Sequence, residues 1–161
     1  MTPRSRIREI IQQHRRFLIL SHTNPDGDAI GSLFAMGCVL RSLGKEVFLC
    51  NESGVPERFA WLAAADREVL HEPPPEGFDW TFALDCGSAS RMGETVERGI
   101  DLGHTANIDH HQDNSEFAAI NWVEARSSVG EMIALLARDL DIPLSGALGE
   151  SIYLALVTDS G

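Results

Sequence analysis

Apolar residues fall along this chain in short blocks whose spacing changes from helical to strand-like and back. Ile7, Ile10 and Ile11 share one helical face, and the continuous run Phe17-Leu18-Ile19-Leu20 after them predicts a strand buried on both sides. Helical spacing returns from Ile30 to Leu43 through Leu33, Met36, Val39 and Leu40, and stops at Gly44, a residue suited to the left-handed end of a helix. Val47 to Cys50 predicts a second strand, and Pro56 to Ala65 a short helix carrying Phe59, Trp61 and Leu62. Pro73, Pro74 and Pro75 permit neither helix nor sheet ladder, so the segment from Glu72 to Gly77 is a loop.

In the second half, Thr81 to Leu84 and Thr105 to Ile108 predict strands that each run into an aspartate, Asp85 and Asp109. Ala118 to Ile120 adds a fifth strand. Ser128-Val129-Gly130-Glu131 is a capping-box pattern that opens a helix through Met132, Ile133, Leu135, Leu136 and Leu140. A final amphipathic stretch, Ser145 to Val157, leads to Asp159. Short apolar strands alternating with helices predict an α/β fold: a Rossmann-like three-layer domain with a mainly parallel, five-stranded sheet between helices. Ligands of such sheets bind beyond the carboxyl ends of the strands, where the strand order reverses.

Composition narrows the chemistry. At 161 residues the chain suits one domain, and 13 Lys and Arg against 24 Asp and Glu give a net charge of -11. That acidity argues against a broad grip on long nucleic acid, which needs clustered cations, but not against small anions drawn to a bound metal. Cys38, Cys50 and Cys86 are odd in number and unpaired in spacing, which indicates neither a disulfide framework nor a zinc ribbon and fits a reducing cytoplasm. No apolar run approaches the ~20 residues of a membrane span, so no membrane partner is expected.

Candidate ligands gather after the strands. The run His22-Thr23-Asn24-Pro25-Asp26-Gly27-Asp28 follows the first strand, Asp85 a later one, and Asp109-His110-His111 another; Asp159 follows the last helix. Taken alone, Asp26 and Asp28 read first as a helix cap or solvated loop, with Gly27 permitting a tight turn between them. Together the segments read as a metal site, because Asp and His are the oxygen and nitrogen ligands of divalent cations. Converged carboxylates would repel by roughly 4 kcal/mol per pair at 4 Å and an effective dielectric near 20, so the cluster needs cations or protons. Mixed carboxylate and imidazole ligands without cysteine suit Mn2+, with Mg2+ and Co2+ as competitors. Two such ions, typically ~3.5 to 4 Å apart, activate a hydroxide for in-line attack on a phosphoryl group. Cys86 reads as a small buried residue, Arg91 as either a holder of phosphate oxygen or a surface ion pair, and His14, His71 and His104 as structural or exposed.

These motifs closely resemble the DHH family of phosphoesterases. The similarity runs in order through His22 to Ser32, Leu84 to Ser88, Asn107 to His111, Asn121 to Val123, Ser127 to Met132 and Val157 to Gly161. It implies that His22 and Asp26 hold one metal, that Asp28, His110 and Asp159 hold the other, and that Asp85 bridges them. His111 would face the substrate phosphate or leaving group, with Asp109 orienting it. The wording is most similar to the branch that degrades short RNA oligonucleotides and dephosphorylates 3'-phosphoadenosine 5'-phosphate. Sister branches include single-strand DNA exonucleases, cyclic-dinucleotide phosphodiesterases, exopolyphosphatases and a class of inorganic pyrophosphatase. The resemblance further implies a second, smaller substrate-binding domain beyond the Asp159 motif. The expectation is therefore a catalytic domain over residues 1–161 that lacks half its substrate cleft and, alone, is weakly active or only binds metal. Oligomeric state is left open.

Overall fold

A computed structural model describes residues 1–160, the side chains of Asp66, Asp159 and Ser160 excepted. Helix α1 (Pro3–Gln13) starts where the Thr2 hydroxyl accepts the Ser5 N–H and Pro3 occupies the first turn. The elements that follow are β1 (Arg16–Ser21), α2 (Gly27–Ser42), β2 (Glu46–Cys50), β3 (Val69–Leu70), β4 (Trp80–Leu84), α3 (Glu94–Arg98), β5 (Thr105–Asp109), β6 (Ile120–Val123), α4 (Val129–Asp139) and α5 (Gly146–Ser160). All strands are parallel, in the order β3-β2-β1-β4-β5-β6. The chain moves outward from β1 to β3, then returns to β4 on the other flank of β1. Strand order therefore reverses between β1 and β4, which opens a crevice at their carboxyl ends.

The sheet has six strands rather than the expected five. The addition, β3, is a two-residue strand paired only with β2, too short to show a period in the sequence. The last strand lies at Ile120–Val123 instead of 118 to 120, because the Asn121 amide bonds both the N–H (3.2 Å) and carbonyl (2.8 Å) of Ala118 and folds that stretch into a turn. The expected helix from Pro56 to Ala65 is instead two 3₁₀ turns, Glu57–Phe59 and Ala63–Asp66. Leu62 is extended between them, and the Ala63 N–H is taken by the Glu150 carboxylate of α5 at 2.5 Å.

Alternation along β1 divides the core. Phe17 and Ile19 face the larger cluster, built with α1, α2, α4 and α5, and Phe17 stacks on Phe82 with ring centroids 5.6 Å apart. Leu18 and Leu20 face a smaller cluster with Cys86, Met92 and Val96 around α3. Among the described residues no helix is long and apolar enough to cross a membrane.

Close backbone contact seats α5. A Cβ at Gly31 of α2 would lie 2.5 Å from the Ser151 carbonyl oxygen, and one at Gly130 of α4 would collide with the Ala155 methyl. Gly27, expected to relax a turn, is likewise a contact residue: it opens α2 and leaves room for Thr158. We expect Gly31→Ala to cost about 2–3 kcal/mol by forcing α2 and α5 apart. Urea unfolding checks this, and a midpoint unchanged from that of the unsubstituted chain would contradict the packing.

Candidate metal centre

The carboxyl ends of β1, β4 and β5 deliver the side chains. His22 stands one residue past β1, and its Nδ1–H donates to the Thr23 carbonyl at 2.6 Å, which turns Nε2 toward Asp85 Oδ2 (3.4 Å) and Asp26 Oδ1 (3.7 Å). Asp26 caps α2 through Oδ1, which accepts the Ala29 N–H at 2.9 Å. The capping reading and the cluster reading of this residue thus hold together.

Asp28, fully buried in the first turn of α2, does a different job. Its carboxylate accepts the N–H groups of Val129 (3.0 Å) and Gly130 (3.2 Å) and the Ser32 hydroxyl (3.0 Å). Those two N–H groups open α4 and have no partner within the helix, so an aspartate from α2 satisfies the end of α4. The capping box behaves nearly as expected: Ser128 Oγ accepts the Glu131 N–H, but Glu131 reaches back to Ser127 rather than to Ser128 itself.

Asp85 is central. Its N–H continues the β4–β5 ladder to the Ile108 carbonyl (3.0 Å), and its φ of 60° then swings the chain into the left-handed region. Such a conformation in a non-glycine residue marks a site where neighbours fix the backbone against local preference. Asp85 belongs to both groups of side chains able to hold a metal ion among the described residues: His22, Asp26 and Asp85, and Asp85, His110 and His111. Its Oδ1 is buried without a hydrogen-bond partner, with His110 Nε2 at 3.4 Å and His111 Nδ1 at 3.8 Å. These separations suit a cation better than a direct bond, since ligands about 2.1 Å from one ion lie roughly 3 to 3.5 Å apart. The donor set and the orphaned oxygen therefore fit a divalent metal.

His110 repeats the logic of His22. Nδ1–H donates to the Arg126 carbonyl (3.1 Å), and Nε2 faces Asp28 Oδ2 (3.5 Å) as well as Asp85. Pinning one ring nitrogen on a carbonyl fixes the tautomer that leaves the other free to ligate. His111 is turned the other way. Its Nδ1 is bound to Asp109 Oδ1 at 2.6 Å, and Asp109 is fully buried, with Oδ2 accepting from Asn114 (2.7 Å).

Without cations the cluster holds protons. Burial opposes a charge on His22, yet Asp26 and Asp85 outweigh it and push its pKa up to about 10. Asp85 lifts His110 to about 9. His22 in turn lowers Asp26 to about 2. Burial, then the charge of Asp85, raises Asp28 to about 7. Asp85 is itself desolvated, but His110 and His22 hold it below the ordinary carboxylate range. Cys86 is buried and raised well above its usual value, which leaves a neutral thiol that is no nucleophile.

The structure thus brings together His22, Asp26, Asp28, Asp85, His110, His111 and Asp109. Asp159 lies in the last turn of α5, and its side chain falls outside the described residues. Two supports lie outside the sequence motifs. Buried Asn51, just past β2, donates to Ser21 Oγ and to the His22 carbonyl, both at 2.8 Å, and so fixes the loop that carries His22. A polar residue ending an apolar strand was the available signal, the same one that marked Asp85. Asn114 bridges Asp109 to Asn107 Oδ1 (2.8 Å) from an irregular loop, where no spacing marks it. A larger groove of about 640 Å³, between the end of α2 and the α4–α5 connection, is bordered by none of the clustered residues.

Comparison with known proteins gives the family. Residues 16–156 match the model of the DHH family, N-terminal domain. The chain belongs to the DHH family. A bifunctional oligoribonuclease and PAP phosphatase, NrnA, of Thermus thermophilus is 31% identical over 147 residues, covering 89% of this chain and 43% of that protein. A probable protein of the same name from Streptococcus mutans is 22% identical, covering 94% and 47%. An exopolyphosphatase-related protein of Bacteroides fragilis superposes with a TM-score of 0.85 at 23% identity, over 99% of this chain and 50% of that one, and so shares the DHH fold. The chain spans less than half the length of the curated DHH relatives it matches.

Proposed function

We propose that this DHH domain is the metal-binding catalytic part of a phosphoester hydrolase acting on short oligonucleotides and on 3'-phosphoadenosine 5'-phosphate. The observation that carries the reading is Asp85, shared by two ligand groups and left with a buried, unpartnered oxygen. His22, Asp26 and Asp85 would hold one ion, and Asp28, His110, Asp159 and Asp85 a second. The donor set favours Mn2+ over Mg2+ or Co2+. When bound, the ions lower the pKa of water and polarise a phosphoryl group.

The remaining chemistry belongs to the chain. His111 is half exposed and lines the cleft beside Asp85; with Nδ1 held by Asp109, its remaining ring nitrogen would be the one to give a proton to the leaving oxygen. Asp109, fixed by Asn114, keeps that ring in place. The substrate assignment rests on the name of the Thermus thermophilus relative, and a further substrate-binding domain, as the family resemblance implies, would complete the cleft.

The test is hydrolysis of a diribonucleotide and of 3'-phosphoadenosine 5'-phosphate, by this chain and by any longer natural protein that contains it. Turnover should require Mn2+ and stop with chelator. His111→Asn should lower kcat by roughly 10²- to 10⁴-fold while metal uptake persists. Cleavage of inorganic pyrophosphate or a cyclic dinucleotide alone would overturn the substrate assignment; metal uptake without any hydrolysis would reduce the domain to a binding module.

A further inference from the structure

A second cleft, of about 200 Å³, opens directly from the centre and shares Asp85 and His111 with it. It is lined further by Gly87, Ser88 and Arg91, from the segment that follows β4, and by Ser115. The walls are tied together, since the Ser115 N–H donates to the Gly87 carbonyl at 2.9 Å. At Gly87 the floor is open: a Cβ there would meet nothing closer than Asp109 Oδ2 at 4.0 Å.

Arg91 is the cation of this cleft. Its backbone is fixed at both ends of a 3₁₀ turn, Ala89–Met92. The Arg91 N–H donates to the Ser88 carbonyl (3.2 Å), the Arg91 carbonyl accepts the Thr23 N–H (2.9 Å), and the adjacent Met92 is fully buried. The second bond joins the turn to the residue after His22. The base of the side chain is thus held in register with the centre, while the guanidinium is exposed and no carboxylate among the described residues pairs with it. Asp113 lines the same cleft and carries the opposite charge.

We propose that Arg91, with the Ser88 and Ser115 side of this cleft, forms an anion subsite that grips a phosphate group of the substrate beside the reacting centre. The proposal rests on the phosphoester reading given above. Its physical motive is electrostatic. A chain with a net charge of -11 repels phosphate, and a guanidinium offers two parallel N–H donors that match phosphate oxygens and fix their orientation. Arg91 is a substrate-binding residue in this account and takes no part in holding metal.

Inorganic phosphate is the direct probe. It is titrated into manganese-loaded protein at low ionic strength for the unsubstituted chain, Arg91→Gln, Arg91→Lys and Arg98→Gln. The last removes an equal charge from exposed Arg98, which pairs with Glu94 on α3. Arg91→Gln should weaken phosphate binding by roughly tenfold or more and raise KM for 3'-phosphoadenosine 5'-phosphate by a similar factor, with a smaller change in kcat. Arg91→Lys should fall between, and Arg98→Gln should match the unsubstituted chain. Manganese uptake and melting temperature should be the same in all four. Equal phosphate affinity in Arg91→Gln and the unsubstituted chain would overturn the subsite, as would an equal loss in Arg98→Gln. The metal reading fails by a different result, absence of manganese uptake by the unsubstituted chain.

Discussion

Asp85→Asn is expected to lower Mn2+-dependent hydrolysis on the order of 10³-fold or more, the largest loss from any single change in this domain. Among the described residues Asp85 is the one side chain common to both ligand groups, so its loss would reach both proposed ions, and stabilisation of a phosphoryl transition state by bound metal is worth several kcal/mol. Asparagine is the informative replacement. It matches aspartate in shape and tolerates the left-handed backbone that position 85 adopts at φ 60°, so the variant should fold. It also removes the charge that holds His110 and His22 in their protonated forms. Turnover within about tenfold of the unsubstituted protein would remove Asp85 from the centre of the account.

The second large effect is on stability. Manganese at about 100 times its dissociation constant contributes about 2.7 kcal/mol per site, so two sites should raise the melting temperature by roughly 10 to 20 °C for a domain of this size. In chelator the curve should also depend on pH in a defined way. Asp28, His22 and His110 have folded pKa values of about 7, 10 and 9, above ordinary values of 3.8, 6.5 and 6.5. Groups raised in this way stabilise the fold fully below their unfolded values and lose that contribution as pH rises through the folded ones. Asp26 and Asp85 are lowered, so their contribution is present above the ordinary carboxylate value and is lost as pH falls. The metal-free melting temperature should therefore peak at about pH 4, fall as Asp28 loses its contribution toward pH 7, and fall more steeply toward pH 9 as His22 and His110 lose theirs. Scanning calorimetry with and without chelator reads both effects, and equal melting temperatures at pH 7.5 would contradict a converged cluster.

Much of this site was legible because strand ends are easy to read. A buried parallel strand is an uninterrupted apolar run, and polar residues within a position or two of its end reach the crevice, so His22, Asp85 and Asp109 are placed by the sequence alone. Their sharing was not legible. Nothing in the spacing says that Asp85 would be strained, or that Asp28 would be spent partly on the N–H groups of Val129 and Gly130. The elements misread were those decided by single tertiary contacts. Glu150 takes the Ala63 N–H of the expected helix, Asn121 folds back on Ala118, and β3 is too short to carry a period. Gly27 misled because a glycine between two aspartates suggests a turn, whereas its role is to admit Thr158 of a helix more than a hundred residues later.

The most direct test of the central claim is the number of manganese ions bound per chain, measured by calorimetric titration and confirmed by elemental analysis of the dialysed protein. Two per chain are expected, reduced by Asp85→Asn and unchanged by Arg91→Gln. No tight uptake, or two ions bound equally well after Asp85→Asn, would contradict that claim.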